Sequence, residues 1–248
     1  MKKTALLLFF IAISTSSLDA QMLRENFVSA DREIRIEEEA SFEMKNLFPG
    51  YLDGIVYNNQ KETSRQLNYH VLFDLFYAAD RRGTRVFLKP EGIDSIRVNN
   101  LLFMFYIGYG YFEVVTREHG LTLLRKHGVD ISSESLTVGA YGSTARSQSA
   151  QSVQSLVRPG MGDFADRTVK LENPAGQELH VTVRRIVYFS LLTENGDPVR
   201  INSRRSLQRE FPEFRLEIRT FLRQNNTDFD QEQDMIELTR FLGSLIEG

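Results

Sequence analysis

The stretch LNYHVLFDLFY, residues 67–77, decides the fold class of this chain. Its odd-numbered residues are all apolar: Leu67, Tyr69, Val71, Phe73, Leu75 and Tyr77. Asn68, His70 and Asp74 fall on the other set of positions. Successive side chains of a strand point to opposite faces, whereas a helix would spread the apolar set around its circumference. The spacing therefore predicts one continuous β-strand with a buried face.

Further short strands, separated by turn sequences, follow this stretch. They are predicted at residues 85–89, 95–98, 101–107, 111–116, 121–125, 168–171, 178–193 and 199–201. Asp80-Arg81-Arg82-Gly83, Gly108-Tyr109-Gly110 and Asn195-Gly196 have compositions typical of turns. Tight turns between short strands predict an antiparallel meander and not a parallel sheet with crossover helices.

After residue 203 the apolar residues take up helical spacing. Two stripes result, one from Phe214, Ile218, Phe221 and Leu222, the other from Met235, Leu238, Leu242 and Leu245. Pro212 suits the first turn of a helix, and Asp230 with Gln233 predicts a capping box. The fold class predicted is α+β: a mainly antiparallel β meander, as a sheet or an open barrel or sandwich, followed by a C-terminal pair of amphipathic helices.

Four segments are predicted along the chain. Residues 1–20 form a signal peptide, 21–48 a charged N-terminal segment, 49–202 a β-rich domain, and 203–248 a helical unit packed on the sheet. A mobile Ser/Gln-rich loop is expected at about 132–163, because its small polar side chains cannot offset the entropy of ordering by burying apolar area. A helix through residues 145–156 is the alternative for part of this loop.

The first twenty residues have the layout of a bacterial export signal. Lys2 and Lys3 precede an apolar run at residues 5–13, which is too short to span a bilayer, and small residues follow. Ala20 precedes Gln21 at the predicted cleavage point, although Leu18 stands where a small residue is preferred. Export to the periplasm or the medium is predicted, with association with the outer membrane as a variant, and no transmembrane span is expected in the mature chain.

Composition excludes several classes of function. The net charge of −3 lacks the strongly basic face that a nucleic-acid partner requires. The absence of cysteine excludes disulfides, thiol catalysis and thiolate metal sites. The partner expected is an envelope protein or a glycan of unknown identity.

No catalytic or metal-binding motif is present. His70 and Asp74 would lie roughly 13 Å apart on one strand, too far for a direct hydrogen bond. Neither a His-Glu-x-x-His sequence nor a Gly-x-Ser-x-Gly sequence occurs. The acidic residues between Asp228 and Asp234 resemble a calcium loop but lack its central glycine, so they are interpreted as a helix cap. We therefore predict no cofactor and no metal, and no catalytic residue can be assigned.

Aromatic residues are concentrated at positions 103–112. They are Phe103, Phe105, Tyr106, Tyr109, Tyr111 and Phe112, and their alternation places some on each face of a sheet. An uncovered outer face would expose Tyr109, Tyr111 and Phe112 as a candidate contact surface. The alternative is that helices or a second layer cover them.

Several short motifs resemble a group of uncharacterised exported proteins of Bacteroidetes-type bacteria. They are Leu67-Asn68-Tyr69, Gly139-Ala140-Tyr141-Gly142 before the Ser/Thr-rich stretch, and Phe211-Pro212 leading to Ile218, Phe229, Leu238 and Phe241. The resemblance covers most of the mature chain except residues 22–48. It implies export and a sheet followed by helices, and it implies no activity. The function expected is therefore a non-enzymatic binding or structural role in the envelope; the alternative is a hydrolase whose site is assembled only in three dimensions.

Overall fold

The computed structural model describes residues 23–247 except 60, 81, 139–143, 153–168, 174–177 and 194–195. The predicted signal peptide therefore lies outside the described residues. The strands are β1 (Arg24–Ser29), β2 (Glu33–Arg35), β3 (Leu52–Asn58), β4 (Lys61–His70), β5 (Leu75–Ala79), β6 (Arg85–Phe87), β7 (Ser95–Val98), β8 (Leu101–Tyr106), β9 (Gly110–Glu118), β10 (Leu121–Val138), β11 (Thr144–Ser152), β12 (Lys170–Glu172), β13 (Leu179–Thr193) and β14 (Val199–Arg200). The helices are α1 (Ile36–Glu39), α2 (Phe42–Lys45), α3 (Arg204–Glu210), α4 (Arg215–Asn225) and α5 (Glu232–Glu247).

One large antiparallel sheet organises the molecule. Its strand order is β1-β13-β10-β9-β8-β7-β3-β4-β5-β6, with β11 joined to β10 and β14 joined to β13. A separate two-stranded ladder joins β2 to β12. From β7 to β10, neighbours in the sheet are also neighbours in the chain, so the predicted antiparallel meander followed by C-terminal helices is confirmed. The sheet is open.

The stretch at residues 67–77 is a hairpin, so the prediction of one continuous strand is wrong. β4 ends at His70 and β5 begins at Leu75, with Leu67 paired to Ala78. Asp74 ends the turn with a φ of 55°, which is left-handed backbone. Both faces of the hairpin are buried, so the turn residues are also mostly apolar. The alternation of apolar residues therefore continues through the turn and does not reveal the chain reversal.

The mobile loop predicted at about 132–163 is also partly wrong. Residues 132–138 continue β10, and residues 144–152 form β11, paired from Asp130–Ser152 to Val138–Thr144. The helix considered for residues 145–156 is absent from the described part of that stretch, which is strand. An antiparallel ladder that extends an existing sheet satisfies its backbone polar groups without large apolar side chains, so polar composition did not reveal it.

Two hydrophobic cores lie against one face of the sheet. The first is built on β3, β4, β5, β7 and β8 with α1 and α2, and it includes Ile36 and Met44 of the charged N-terminal segment. The second lies between β9, β10, β13 and the C-terminal helices, and it includes Leu123 and Leu238. We call the sheet face that meets both cores the inner face and the opposite one the outer face.

The C-terminal helices bury the stripes that their spacing predicts. Met235, Leu238 and Leu242 of α5 are fully buried against the sheet. The predicted cap at Asp230 is replaced by a different arrangement, in which the Asp234 carboxylate accepts the Asp228 backbone N–H at 2.7 Å. Among the described residues, none of the helices is both long and apolar enough to cross a membrane.

Candidate functional site

A buried ion pair lies where two central strands separate. The β9–β10 ladder ends at the pair of Glu113 and Arg125. Beyond that point the backbone N–H of Tyr111 donates to Asp74 Oδ1 at 3.2 Å, and its carbonyl accepts from Lys126 Nζ at 2.8 Å. The turn between β4 and β5 thus supplies a carboxylate to backbone groups that the neighbouring strand no longer pairs.

The Lys126 ammonium donates all the hydrogen bonds that it can form. Besides the Tyr111 carbonyl, its ammonium donates to Asp74 Oδ2 at 2.6 Å and to the Tyr109 carbonyl at 3.0 Å, which uses all three protons. It also lies 4.7 Å from the centroid of the Phe112 ring. The lysine side chain is only 2% exposed. Burial lowers its pKa, and the Asp74 carboxylate opposes that shift.

Two tyrosines complete this buried group. The Tyr69 hydroxyl donates to Asp74 Oδ1, and burial together with the nearby Asp74 charge raises the pKa of Tyr69 well above its usual value. The Tyr111 hydroxyl is buried and has no hydrogen-bond partner among the described residues, and burial raises the pKa of Tyr111 as well. We call Tyr69, Asp74, Tyr111 and Lys126 the buried lysine site.

Gly110 allows the carboxylate and the ammonium to approach the backbone. Its φ of 84° lies in the left-handed region. A Cβ at this position would overlap the Asp74 carboxylate and would come within 2.7 Å of Lys126 Nζ. Only glycine therefore fits both the conformation and the space.

A second charged group lies on the inner face between the two cores. Glu113 binds Arg125 with both of its oxygens and lies 2.8 Å from Nε2 of His127. Arg125 also pairs with Glu232 at the start of α5. Burial acts to raise the pKa of Glu113, but the hydrogen bonds from His127 and Arg125 outweigh burial and hold it below its usual value. These contacts tie the C-terminal helices to the sheet.

The hairpin tip between β8 and β9 projects from the buried lysine site. Tyr109 N–H donates to the Tyr106 carbonyl at 3.0 Å and closes the turn. Ile107 is 89% exposed and Tyr109 is 42% exposed. Because Lys126 binds the Tyr109 carbonyl from below, the tip is attached to the core at its base. We call Ile107, Gly108 and Tyr109 the tip.

The contact surface predicted at Tyr109, Tyr111 and Phe112 needs correction. Tyr111 lies on the inner face, where its ring meets those of Tyr69, Phe76 and Phe105, and it is 1% exposed. Phe112 points to the other face, but it is buried at 2% under Tyr106 and Lys126. Only Tyr109 of the three is exposed. Its exposed neighbour Ile107 was not among the predicted contact residues, because the apolar run from Leu101 assigned it to the end of a strand.

The histidines are spread over separate environments. His70 stacks on Phe73 at 4.2 Å, and its Nδ1 accepts the Phe73 backbone N–H. His119 lies 2.6 Å from Glu247, and His180 lies 3.5 Å from Glu178. Among the described residues, no group of three or more histidine and acidic side chains has the arrangement of a metal site. Lys126 and Asp74, which do meet, are far apart in sequence and share no motif.

His70 predicts a loss of stability in acid. Burial lowers its pKa from 6.5 to about 3, so the unfolded chain takes up the proton before the folded chain does. Stability from the neutral ring is complete above pH 6.5 and is lost as the pH falls towards 3. We expect a loss of about 2 kcal/mol from this group at pH 5.

Urea unfolding at pH 7 and pH 5 measures that loss. His70→Asn is the matched control, because the Asn oxygen can still accept the Phe73 N–H but does not titrate. Wild type should lose about 2 kcal/mol more than the variant between the two pH values. Equal losses in the two proteins would contradict the assignment.

Compared with protein-family models, with curated proteins and with solved structures, the chain matches none of them.

Proposed function

We propose that the protein is exported to the cell envelope and acts there as a binding or structural protein, with the tip as its contact surface. The observation that carries this proposal is the exposure of Ile107 and Tyr109 on a hairpin whose base is bound by Lys126. Large apolar side chains held on a rigid loop are typical of contact points for partner proteins. The leader at residues 1–20 supports export.

Preorganisation supports binding through the tip. An exposed apolar side chain on a floppy loop loses conformational entropy when it is captured. Here the turn is closed by a backbone hydrogen bond, and its last residue is bound from below by a buried ammonium. The tip therefore loses less conformational entropy when it binds a partner.

A protein partner fits the tip better than a glycan. Ile107 has no polar group with which to bind sugar hydroxyls, whereas an aliphatic side chain fills an apolar socket of a protein. Burying a fully exposed isoleucine contributes about 2 kcal/mol. The partner proposed is thus an envelope protein with an apolar socket.

The buried acid and base groups favour structure over hydrolysis. A hydrolase needs an acid or base that can reach a substrate. Glu113 is occupied by Arg125 and His127, and Lys126 is occupied by three oxygen acceptors. Both groups hold strands and helices together.

Crosslinking in the native cell, followed by a pull-down from the envelope fraction, tests the proposal. The Ile107→Ser/Tyr109→Ser variant should lose the partner that wild type captures, with recovery at least about tenfold lower, because two apolar anchors are removed. Leu216→Ser is the matched control, because Leu216 is 73% exposed on α4 and is not part of the tip.

If the tip variant captures as much of the partner as wild type does, the tip is not the contact surface. A product that starts at Gln21 in the envelope fraction supports export, whereas a full-length product in the cytosol contradicts it. Capture by wild type that a soluble oligosaccharide extract abolishes by competition would point to a glycan and overturn the protein partner.

A further inference from the structure

Asp74 and Lys126 of the buried lysine site meet where water is nearly excluded. Oδ2 of Asp74 lies 2.6 Å from Lys126 Nζ, and the two side chains are 18% and 2% exposed. The Phe112 ring lies 4.7 Å from the ammonium, and the Tyr69 ring packs edge-on against the Tyr111 ring. A carboxyl group and a primary amine that are held in contact and stripped of water are the two reactants of an amide bond. Holding them together removes much of the entropic barrier to that reaction.

The two oxygens of the Asp74 carboxyl group have different partners. Oδ1 accepts from the Tyr69 hydroxyl and from the Tyr111 backbone N–H at 3.2 Å, whereas Oδ2 accepts from Lys126 Nζ. Two donors on one oxygen act as an oxyanion hole, because they stabilise the negative charge that develops there when a nucleophile adds to the carbon. This arrangement assigns Oδ1 to the carbonyl of an amide and Oδ2 to the water that leaves.

The proton balance of the reaction closes within the pair. Burial lowers the pKa of Lys126 and disfavours both charges, so it promotes transfer of one ammonium proton to Oδ2. The neutral amine then adds to Cγ of Asp74, a second proton passes from Nζ to Oδ2, and the Cγ–Oδ2 bond breaks. One C–N bond forms, one water molecule leaves, and the third proton stays on the amide nitrogen. No oxidant, reductant or cofactor takes part.

We propose that Asp74 and Lys126 condense to an isopeptide bond, which joins the turn between β4 and β5 covalently to β10. The ion pair is the state before the reaction, and Tyr69, whose hydroxyl touches the reacting carboxyl group, is the catalytic residue. The bond closes a loop from residue 74 to residue 126 in a chain that contains no cysteine. It restricts the unfolded chain as a disulfide does, and it is insensitive to reductant.

The intact mass of the purified, denatured chain tests the proposal. Wild type should be lighter than its own sequence by one water molecule, and a protease digest should contain one branched peptide that carries both Asp74 and Lys126. Lys126→Arg keeps the positive charge but removes the amine that attacks, so this variant should have the full mass of its sequence. Circular dichroism checks that the variant is folded.

A comparison of two tyrosine variants tests the assignment of Tyr69. Tyr69→Phe keeps the ring but removes a donor to Oδ1, so after a pulse of synthesis its mass loss should develop at least about tenfold more slowly than that of wild type. Tyr111→Phe is the matched control. It removes a buried hydroxyl that has no partner among the described residues and keeps the backbone N–H, so it should react at the wild-type rate.

A wild-type chain with the full mass of its sequence would overturn the proposal. So would a water loss that Lys126→Arg retains, because that loss would come from another place in the chain. Equal rates in the two tyrosine variants would contradict the role of Tyr69. The tip variant Ile107→Ser/Tyr109→Ser should show the same water loss as wild type, so the isopeptide bond and the capture of an envelope partner can fail independently.

Discussion

Replacing Lys126 by Met is expected to lower the free energy of unfolding by about 3–5 kcal/mol. The substitution keeps the length of the side chain but leaves the Asp74 carboxylate without its counter-charge, and it removes the donor to the carbonyls of Tyr109 and Tyr111. A mostly buried carboxylate that loses its counter-charge destabilises the fold strongly, although Tyr69 and Tyr111 still donate to it. Urea unfolding at neutral pH measures the difference.

A double variant measures how strongly the charges of Asp74 and Lys126 are coupled. Asp74→Asn/Lys126→Met removes both charges, and its loss should be smaller than the sum of the two single losses, by about 2 kcal/mol or more. Additive losses would show that the two groups act independently and would contradict the pairing.

Replacing Gly110 by Ala is expected to destabilise the protein by about 4 kcal/mol or more. The methyl group would displace the Asp74 carboxylate from Lys126 in addition to straining a backbone with a φ of 84°. Gly108→Ala is the matched control, since Gly108 has a φ of 83° but nothing lies within 4 Å of the position that its Cβ would take. That variant should lose only about 1 kcal/mol, from backbone strain alone.

Thermal or urea unfolding of the two alanine variants separates the effect of backbone strain from the effect of displacing the Asp74 carboxylate. If Gly110→Ala and Gly108→Ala lose the same stability, the close approach at Gly110 has no energetic role. A large loss confined to Gly110→Ala would show that the buried lysine site, and not the turn itself, fixes the base of the tip.

Local sequence patterns predicted the fold class, but they did not predict where the chain reverses direction. Alternation at Leu67, Tyr69 and Tyr77 correctly indicated β-structure, because the alternation of apolar and polar side chains is a local property of the sequence. The turn at Val71–Asp74 was not predicted, because the hairpin is buried on both faces and its turn carries apolar residues like those of the strands. Helical spacing from Met235 to Leu242 was confirmed, since those side chains meet one surface.

The candidate site could not be predicted, because its parts meet through tertiary contacts. Asp74 and Lys126 belong to different hairpins, and no spacing rule connects a turn carboxylate to a strand lysine so far along the chain. Whether Tyr111 and Phe112 are covered likewise depends on what packs over β9. Lys126 follows the apolar residues Leu123 and Leu124 within a strand, and this was the only local sign of a buried cation.

The pairing of β1 with β13 determines the order in which the sheet can be completed. β1 pairs with a strand far along the chain, from Arg24–Arg184 to Ser29–Leu179. Such long-range closure raises contact order and slows folding. Partly folded chains therefore keep the edge of β13 unpaired, and exposed to chaperones and proteases, until β1 reaches it.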